Sequence, residues 1–288
     1  MSVLLNTPGA GDLDEVVRAL AAWRREGAPM QLHSGDVGFY WQFGPEATAA
    51  ALRTWSRDGR ILGVGLVDGP DLVRLAVDPE ARMDEELARQ MADDLTRSER
   101  GVLPEGKAHV EALWDGRFRE VLLEDGWELD EPWIPMARDL SEPVPDRGLR
   151  IEVVGPDRVD DRVAVHRGAF TGSKFSAERW HAMAAGTPYA DARCLVGYDD
   201  RGDAVAATTV WSAGPGKPGL LEPLGVHGDH QGHGYGTAIA LAAAAALRDM
   251  GASSATVCAE GSNAAAVATY RAAGFQPRPE VRDLRRAG

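Results

Sequence analysis

The alternation of hydrophobic and polar residues is clearest in the second half of the chain. Residues 149–154 alternate with a period of two, as a half-buried strand does, and residues 157–170 repeat apolar positions at helical spacing. Ser176 is a suitable N-cap for a short helix through Ala185. The pattern then predicts strands over 193–198, 204–211, 220–226 and 254–259, helices over 234–250 and 263–273, and a closing strand after Phe275. This order favours an α+β layer over a doubly wound repeat.

The first half repeats this order more weakly. The pattern predicts a helix over 46–56, strands over 60–67 and 71–77, and a helix over 84–98, and residues 118–124 then lead into Gly126-Trp127. We interpret this as a diverged internal duplication. Residues 141–148 carry two prolines and a glycine between the two patterned regions, which indicates a linker. We therefore expect two domains, over residues 1–140 and 149–288.

Composition excludes several classes of protein. The chain has 288 residues, of which 44% are hydrophobic and 26% charged, as in ordinary globular proteins. Its longest apolar run, residues 238–247, is shorter than the roughly 18 residues of a membrane span, and the first residues lack the pattern of a secretory signal. We expect a cytoplasmic protein that does not associate with membranes. Cys194 and Cys258 lie in apolar strands, which predicts reduced, buried thiols.

The charge is distributed unevenly between the halves. Residues 1–148 hold 16 basic and 29 acidic residues, whereas residues 149–288 hold 15 of each, so the net charge of −13 belongs to the first half. A field of this sign repels phosphate, and nucleic acid is therefore not an expected partner. A cationic small molecule fits better, although an acidic balance often serves only solubility. The oligomeric state does not follow from the sequence.

The chemistry is most clearly indicated where a predicted strand runs through a glycine-rich turn into a helix, over residues 220–237. Gly232, Gly234 and Gly236 allow close approach of an anion to backbone N–H groups at the helix N-terminus, which is typical of a diphosphate site. The dinucleotide pattern Gly-x-Gly-x-x-Gly fails at Thr237, and the P-loop ending Gly-Lys-Ser/Thr is absent, since Gly216-Lys217 is followed by proline.

The spacing Gln-x-x-Gly-x-Gly at Gln231, Gly234 and Gly236 resembles the acetyl-CoA-binding motif of the GNAT superfamily of N-acetyltransferases. Residues 263–275, with Asn263, Tyr270 and a final Gly-Phe, resemble the second signature of that family. The resemblance implies two GNAT-like mixed-sheet domains in tandem, with acetyl-CoA as acyl donor held between splayed strands at 220–226 and 254–259. The residues expected to bind it are Leu224, Gly225, Val226, Gln231, Gly232, His233, Gly234, Tyr235, Gly236, Thr237 and Asn263.

Acyl transfer to an amine requires an uncharged nucleophile and a protonated leaving thiolate. Glu222, an acidic residue in an apolar strand, is the candidate general base, although a surface or ion-paired glutamate would have the same pattern. The resemblance implies that Tyr270 protonates the thiolate; the alternative is a core tyrosine. Neither cysteine lies beside a histidine base, so we expect direct attack without a covalent enzyme intermediate.

Other residues carry weaker hypotheses. His227, His230 and His233 recur every three residues, but no cysteine or carboxylate cluster completes a metal site, and we expect no metal. His233 lies where relatives of the family often place Arg or Lys beside phosphate, and the alternative is a solvated loop residue. Asn263 is as plausible an N-cap as a CoA contact. Trp180 and Trp211 are acceptor-site candidates, although such residues more often belong to the core.

The position in the first half that corresponds to the glycine turn reads Ala81-Arg82-Met83-Asp84-Glu85-Glu86. It has no glycine, and its three carboxylates oppose a diphosphate, so we expect this half not to bind CoA. Tandem members of the superfamily, including mycothiol-synthase-like proteins, similarly pair a vestigial half with an active one.

The sequence thus favours an N-acyltransferase that moves an acetyl group from acetyl-CoA to the primary amine of a small molecule. The alternative is a regulatory acyl-CoA-binding protein or pseudoenzyme without turnover. Neither the acceptor nor the acyl-chain length follows from the sequence.

Overall fold

The computed structural model of the chain describes residues 2–288. Over that range, 13 strands form one continuous mixed sheet with helices on both faces. The architecture is α+β, and the two halves of the chain lie in tandem along the sheet, as the sequence predicts. No helix between residues 2 and 288 combines the length and the apolar character that a membrane crossing requires.

The first half begins with a short strand and then alternates helices and strands. Its helices are α1 (Leu13–Ala22), α2 (Ser34–Tyr40), α3 (Pro45–Ala51), α4 (Glu85–Thr96) and α5 (Arg117–Glu124). Its strands are β1 (Leu4–Asn6), β2 (Leu52–Arg57), β3 (Arg60–Val67), β4 (Leu72–Val77), β5 (Ala108–Glu111) and β6 (Glu128–Asp139).

The second half follows the predicted element order. Its helices are α6 (Val159–Ala169), α7 (Ala177–Ala184), α8 (Tyr235–Asp249) and α9 (Ala264–Ala272). Its strands are β7 (Arg150–Val153), β8 (Ala192–Tyr198), β9 (Ala204–Trp211), β10 (Gly219–Val226), β11 (Ser254–Glu260), β12 (Gln276–Pro277) and β13 (Val281–Arg286). Ser176 caps α7 by accepting from the amide of Arg179, which confirms the predicted N-cap.

The predicted helix over 46–56 is wrong in its second part. Helix α3 ends at Ala51, and residues 52–57 form β2, which pairs with β1 on one side and β3 on the other. The alanine-rich run before Leu52 suggested a continuous helix. Trp55 instead lies fully buried in the sheet core, where two neighbouring strands satisfy the backbone of β2.

The two halves exchange strands at the centre of the sheet. The strand order is β1-β2-β3-β4-β5-β13-β6-β11-β10-β9-β8-β7, with β12 paired to β6. Strand β13, at the end of the chain, therefore lies between β5 and β6 of the first half. Strand β6 pairs in turn with β11 of the second half, antiparallel over residues 133–139. The division into domains at residues 1–140 and 149–288 stays a prediction. The sheet joins these two ranges, because β6 pairs with β11 and β13 pairs with β5 and β6.

Helix α2 packs closely against the second half. A Cβ added at Gly35 or Gly38 would lie 2.4 Å from the Trp211 side chain, so glycine is required at both positions. Trp211 itself is 1% exposed. This contact fixes α2, and the acidic residue Asp36 that it carries, against the end of β9.

Strands β10 and β11 are parallel but stay paired only at their beginnings. Leu220 pairs with Thr256, and beyond this position β10 is hydrogen-bonded on one side only, to β9. The pairing with β9 also shifts register between Leu221 and Leu224, around Pro223, which has no N–H to donate. The strands therefore diverge into an open cleft, as the resemblance implies.

Candidate active site

The glycine-rich turn connects β10 to the N-terminus of α8. No protein acceptor within residues 2–288 takes a hydrogen bond from the amides of residues 232–237; the first amide of the helix to be bonded is that of Ala238, to Gly234 O at 3.1 Å. Unpaired N–H groups at a helix N-terminus attract an anion because they carry the positive end of the helix dipole. The turn therefore has the donors that a diphosphate needs.

The glycines of the turn serve two different purposes. Gly232 and Gly234 have φ values of 82° and 81°, which side-chain-bearing residues rarely adopt. Gly236 lies inside α8, where an added Cβ would lie 3.0 Å from Thr269 of α9. The first two glycines thus shape the turn, and the third lets the two helices approach each other.

A cleft of about 520 Å³ extends from this turn along the open edge of β10. The predicted donor-binding residues that line it are Leu224, Gly225, Val226, Gln231, Gly232, Gly234, Tyr235, Gly236, Thr237 and Asn263. His233 does not line the cleft. Its exposed ring stacks on the ring of Tyr235, with the ring centroids 5.8 Å apart. The structure therefore brings together every predicted donor-binding residue except the His233 side chain.

Asn263 has the capping role that the sequence allowed. Its Oδ1 accepts from the amide of Ala266 at 3.0 Å and begins α9. The same residue also faces the cleft. Across residues 2–288 no group of three or more His, Cys, Asp or Glu residues could hold a metal ion, and His227 instead accepts from the amide of Asp229 in its own turn.

A second cavity, of about 440 Å³, lies between the two halves and contains Glu222. It meets the donor cleft at Phe170, Leu224 and Tyr270, which line both spaces. The cleft and the cavity are therefore adjacent at these three residues. Both halves supply the other residues that line the cavity, and most of its charged residues are acidic.

Both the backbone carbonyl and the side chain of Glu222 contact other residues. The indole Nε1 of Trp211 donates to Glu222 O at 2.8 Å, which gives this core residue a direct structural role at the site. The side chain is 44% exposed, but the exposed surface faces the cavity. Loss of hydration there raises the pKa of Glu222 to about 7, aided by Asp36, Glu111 and Asp68 and opposed by Arg74.

Arg74, on β4 of the first half, is the central cation of this cavity. Its Nη1 lies 3.6 Å from Oε1 of Glu222 and 3.2 Å from Oδ1 of Asp36. Its Nε donates to Glu111 at 2.9 Å, and Asp68 lies 3.8 Å from Nη1. No motif in the sequence pointed to Arg74, Asp36, Glu111 or Asp68. An arginine within the apolar run of β4 was the one local signal, and its partners lie on other elements.

Tyr270, on α9, is 7% exposed and faces both the cleft and the cavity. No hydrogen bond within the described range 2–288 acts on its hydroxyl. Burial raises the pKa of this phenol, and the Glu222 charge raises it further, so Tyr270 is protonated at neutral pH and able to donate. Cys258 lines the same cavity, and burial likewise raises the pKa of its thiol, which keeps it protonated and unreactive.

Asp283, on the exchanged strand β13, lines the cavity and an adjoining acidic pocket. Its Oδ1 is buried without a hydrogen-bond partner among residues 2–288. Burial raises the pKa of this carboxyl to about 7, and the charges of Glu111 and Asp130 add to the shift. Trp133 lines both spaces, whereas Trp180 belongs to the core of the second half.

The corresponding helix start in the first half is closed by its own side chains. Asp84 caps α4 by accepting from the amide of Leu87 at 2.9 Å. Arg57 in turn binds Asp84 at 2.6 Å and Glu86 at 3.1 Å. The amide and the arginine at this helix start are thus directed at protein carboxylates.

Comparison with known proteins agrees with this geometry. Residues 164–275 match the model of the acetyltransferase (GNAT) family. The matched segment contains the open cleft, the glycine turn and the Tyr270 helix, where the two sequence motifs lie. No curated protein matches the chain.

Solved structures share the fold over the whole length. A GCN5-related N-acetyltransferase from Sphaerobacter thermophilus is similar with a TM-score of 0.60 and 18% identity, covering 99% of this chain and 96% of that one. A tandem GNAT protein from the clavulanic acid biosynthesis pathway is similar with a TM-score of 0.64 and 18% identity, covering 100% and 99%. A GNAT-family acetyltransferase from Colwellia psychrerythraea gives 0.63 and 13%, with 100% of both chains covered. At these identities the likeness is one of fold.

Proposed function

We propose that the protein is an acetyl-CoA-dependent N-acetyltransferase whose catalysis is confined to the second half and whose acceptor is a small-molecule primary amine. The observation that carries this proposal is the junction at Phe170, Leu224 and Tyr270, which line both the cleft at the glycine turn and the Glu222 cavity. A thioester and an amine that enter from opposite sides would meet at this point.

On the donor side, the free amides of residues 232–237 would bind the diphosphate of CoA. The unpaired edge of β10 at Leu224–Val226 would hydrogen-bond the amides of the pantetheine arm as an additional strand. One N–H of the same edge would stabilise the oxyanion that develops on the thioester carbonyl.

On the acceptor side, Glu222 would take the proton that the amine loses as its nitrogen attacks the acetyl carbon, directly or through water. The C–N bond forms, the C–S bond breaks, and the departing thiolate takes a proton from Tyr270. A carboxylate with a pKa near neutrality is suited to the first transfer, because it is partly ionised and still sufficiently basic.

The charge of the cavity favours a cationic acceptor. Its carboxylates outnumber its two arginines, and the carboxylate group comprises Asp36, Asp68, Glu111, Glu222, Glu260 and Asp283. Trp133 adds an aromatic face of the kind that attracts an ammonium group. An acceptor with a second positive charge, beside the amine that reacts, would match this surface.

The first half, residues 1–140, is proposed not to bind CoA. Support comes from the N-terminus of α4, where the Asp84 carboxylate takes the position of an incoming anion. The first half would instead contribute wall residues and charges to the acceptor cavity, as in a tandem GNAT protein with one vestigial half.

A thiol-release screen tests the proposal. The protein is incubated with acetyl-CoA and a panel of neutral monoamines, diamines, amino sugars, amino acids and peptide N-termini, and free CoA is measured against a control without amine. Amine-dependent release, highest for dicationic amines, is expected. Calorimetric binding of CoA with no release across the panel would favour a regulatory acyl-CoA-binding protein, and absence of CoA binding would refute the proposal altogether.

A further inference from the structure

The first half supplies the cation closest to Glu222. Arg74 lies on β4, outside the segment that matches the acetyltransferase family, yet its guanidinium is 3.6 Å from the Glu222 carboxylate. Its side chain is 17% exposed. The ion pair of this largely buried guanidinium with Glu222 is therefore a contact between the two halves at the proposed base.

Apart from Glu222, the side chains that hold Arg74 come from the first half. Glu111 is its cross-strand partner in the parallel β4–β5 pair, and the two side chains are hydrogen-bonded at 2.9 Å. Asp36 reaches it from α2 at 3.2 Å, and α2 is fixed by the contact of Gly35 and Gly38 with Trp211. Residues on β4, β5 and α2 thus hold the guanidinium independently of Glu222.

The charges around Glu222 decide what Arg74 does. The titratable and charged groups that face this cavity from all packed elements are Arg24, His33, Asp36, Asp68, Arg74, Glu111, Cys258, Glu260, Tyr270 and Asp283. Three of the carboxylates among them, Asp36, Asp68 and Glu111, oppose ionisation of Glu222, whereas the close guanidinium of Arg74 favours it.

We propose that Arg74 is a positioning residue for the acyl transfer: it orients the Glu222 carboxylate toward the junction of cleft and cavity and keeps it ionised among the surrounding acidic groups. This inference rests on the proposed function of Glu222. It assigns the first half the task of preparing the base, while the residues that touch the substrates stay in the second half.

The test compares the pH dependence of kcat/KM for variants that change the field at Glu222 in opposite directions. In Arg74→Met, loss of the cation should move the acidic limb of the profile to higher pH by about 1 unit. In Glu111→Gln, loss of one opposing charge should move the limb to lower pH. Arg74→Lys keeps the charge and should restore a limb close to that of the wild type.

The matched control is Arg57→Met. Arg57 is also a partly buried arginine of the first half, ion-paired to Asp84 at 2.6 Å, but it does not line the cavity. This variant should leave the limb unchanged, and CoA affinity by calorimetry should be equal in all four variants.

Removal of Arg74 leaves buried carboxylates without their cation, so Arg74→Met risks misfolding. Glu111→Gln retains a side chain of the same shape and keeps the test decisive in that event. An unmoved limb in Glu111→Gln, or in a folded Arg74→Met, would overturn the role of Arg74. Absence of amine-dependent CoA release by the wild-type protein would instead count against the proposed function itself.

Discussion

At the scale of single residues, the site depends on environments that alter ordinary side chains. Glu222 is a glutamate in a strand, and the cavity wall around it raises its pKa to about 7, as the proposed role of base requires. The sequence indicated the residue because an acid in an apolar strand is unusual. The residues that set its properties, Arg74 above all, come from distant positions and had no comparable signal.

The first prediction concerns Glu222 as general base. Glu222→Gln should lower kcat by about 10²- to 10⁴-fold at neutral pH, because the amide cannot accept the proton. In the wild type, kcat/KM should rise as pH increases through about 7, since the base must be deprotonated. Stopped assays of CoA release from pH 5 to 9 measure both. A variant with near-normal kinetics across that range would remove Glu222 from the mechanism.

The second prediction concerns the effect of the buried Asp283 carboxyl on the stability of the fold. Its pKa rises from 3.8 in the unfolded chain to about 7 in the folded one, so the folded state holds the proton more tightly and stability falls as pH rises between those values. Asp283→Asn should therefore raise the free energy of unfolding at pH 8 more than at pH 5, by about 1–2 kcal/mol. Urea titrations at both pH values measure the difference.

Asp200→Asn, the same change of side chain on the exposed β8–β9 turn, is the control for the substitution itself. Equal effects of Asp283→Asn at pH 5 and pH 8 would contradict the assignment of a raised pKa to this group.

At the scale of elements, local signals were good guides where the chain determines its own structure. The caps at Ser176 and Asn263 and the strand–turn–helix around Gly234 all depend on neighbouring residues, and the structure has them as predicted. The helix over 46–56 failed in its second part because the fate of residues 52–57 depends on β1 and β3, which lie elsewhere in the sequence.

The third prediction separates the geometry of the glycine turn from backbone strain in general. Gly234→Ala forces a side chain into φ 81° at the turn and should weaken CoA binding at least tenfold by calorimetry, because the freed amides lose their alignment. The strain itself should cost about 1–2 kcal/mol of stability.

Gly202→Ala is the matched control, since Gly202 has φ 90° on the β8–β9 turn with open space around it. It should lose similar stability and retain CoA affinity. Equal loss of CoA binding in both variants would show that strain alone, and not the turn at Gly234, accounts for the effect.

At the scale of the whole molecule, the halves are joined by more than the linker at 141–148. Strand β6 pairs with β11 through residues 133–139, and β13 lies between β5 and β6. Each half thus completes the sheet of the other, which brings Asp283 into the cavity beside residues of the first half.

The fourth prediction follows from this exchange. A protease site inserted between Asp146 and Arg147, in the exposed linker, should be cut without separating the halves. The backbone hydrogen bonds and buried side chains of the exchanged strands should keep the fragments together, so the cut protein should elute as one species of the size of the intact 30.8 kDa chain. Gel filtration in native buffer and in guanidinium makes the comparison, and two species in native buffer would be the contrary result.

The sequence by itself determined the parts of this protein that depend on neighbouring residues: the two motifs, the glycine turn, the helix caps and the element order of the second half. Only the tertiary structure decided the exchange of β6 and β13 and the meeting of Arg74, Glu111 and Asp36 with Glu222. The physical reason is that strand pairing and electrostatic fields act through space, between residues whose separation along the chain carries no periodic or local signal.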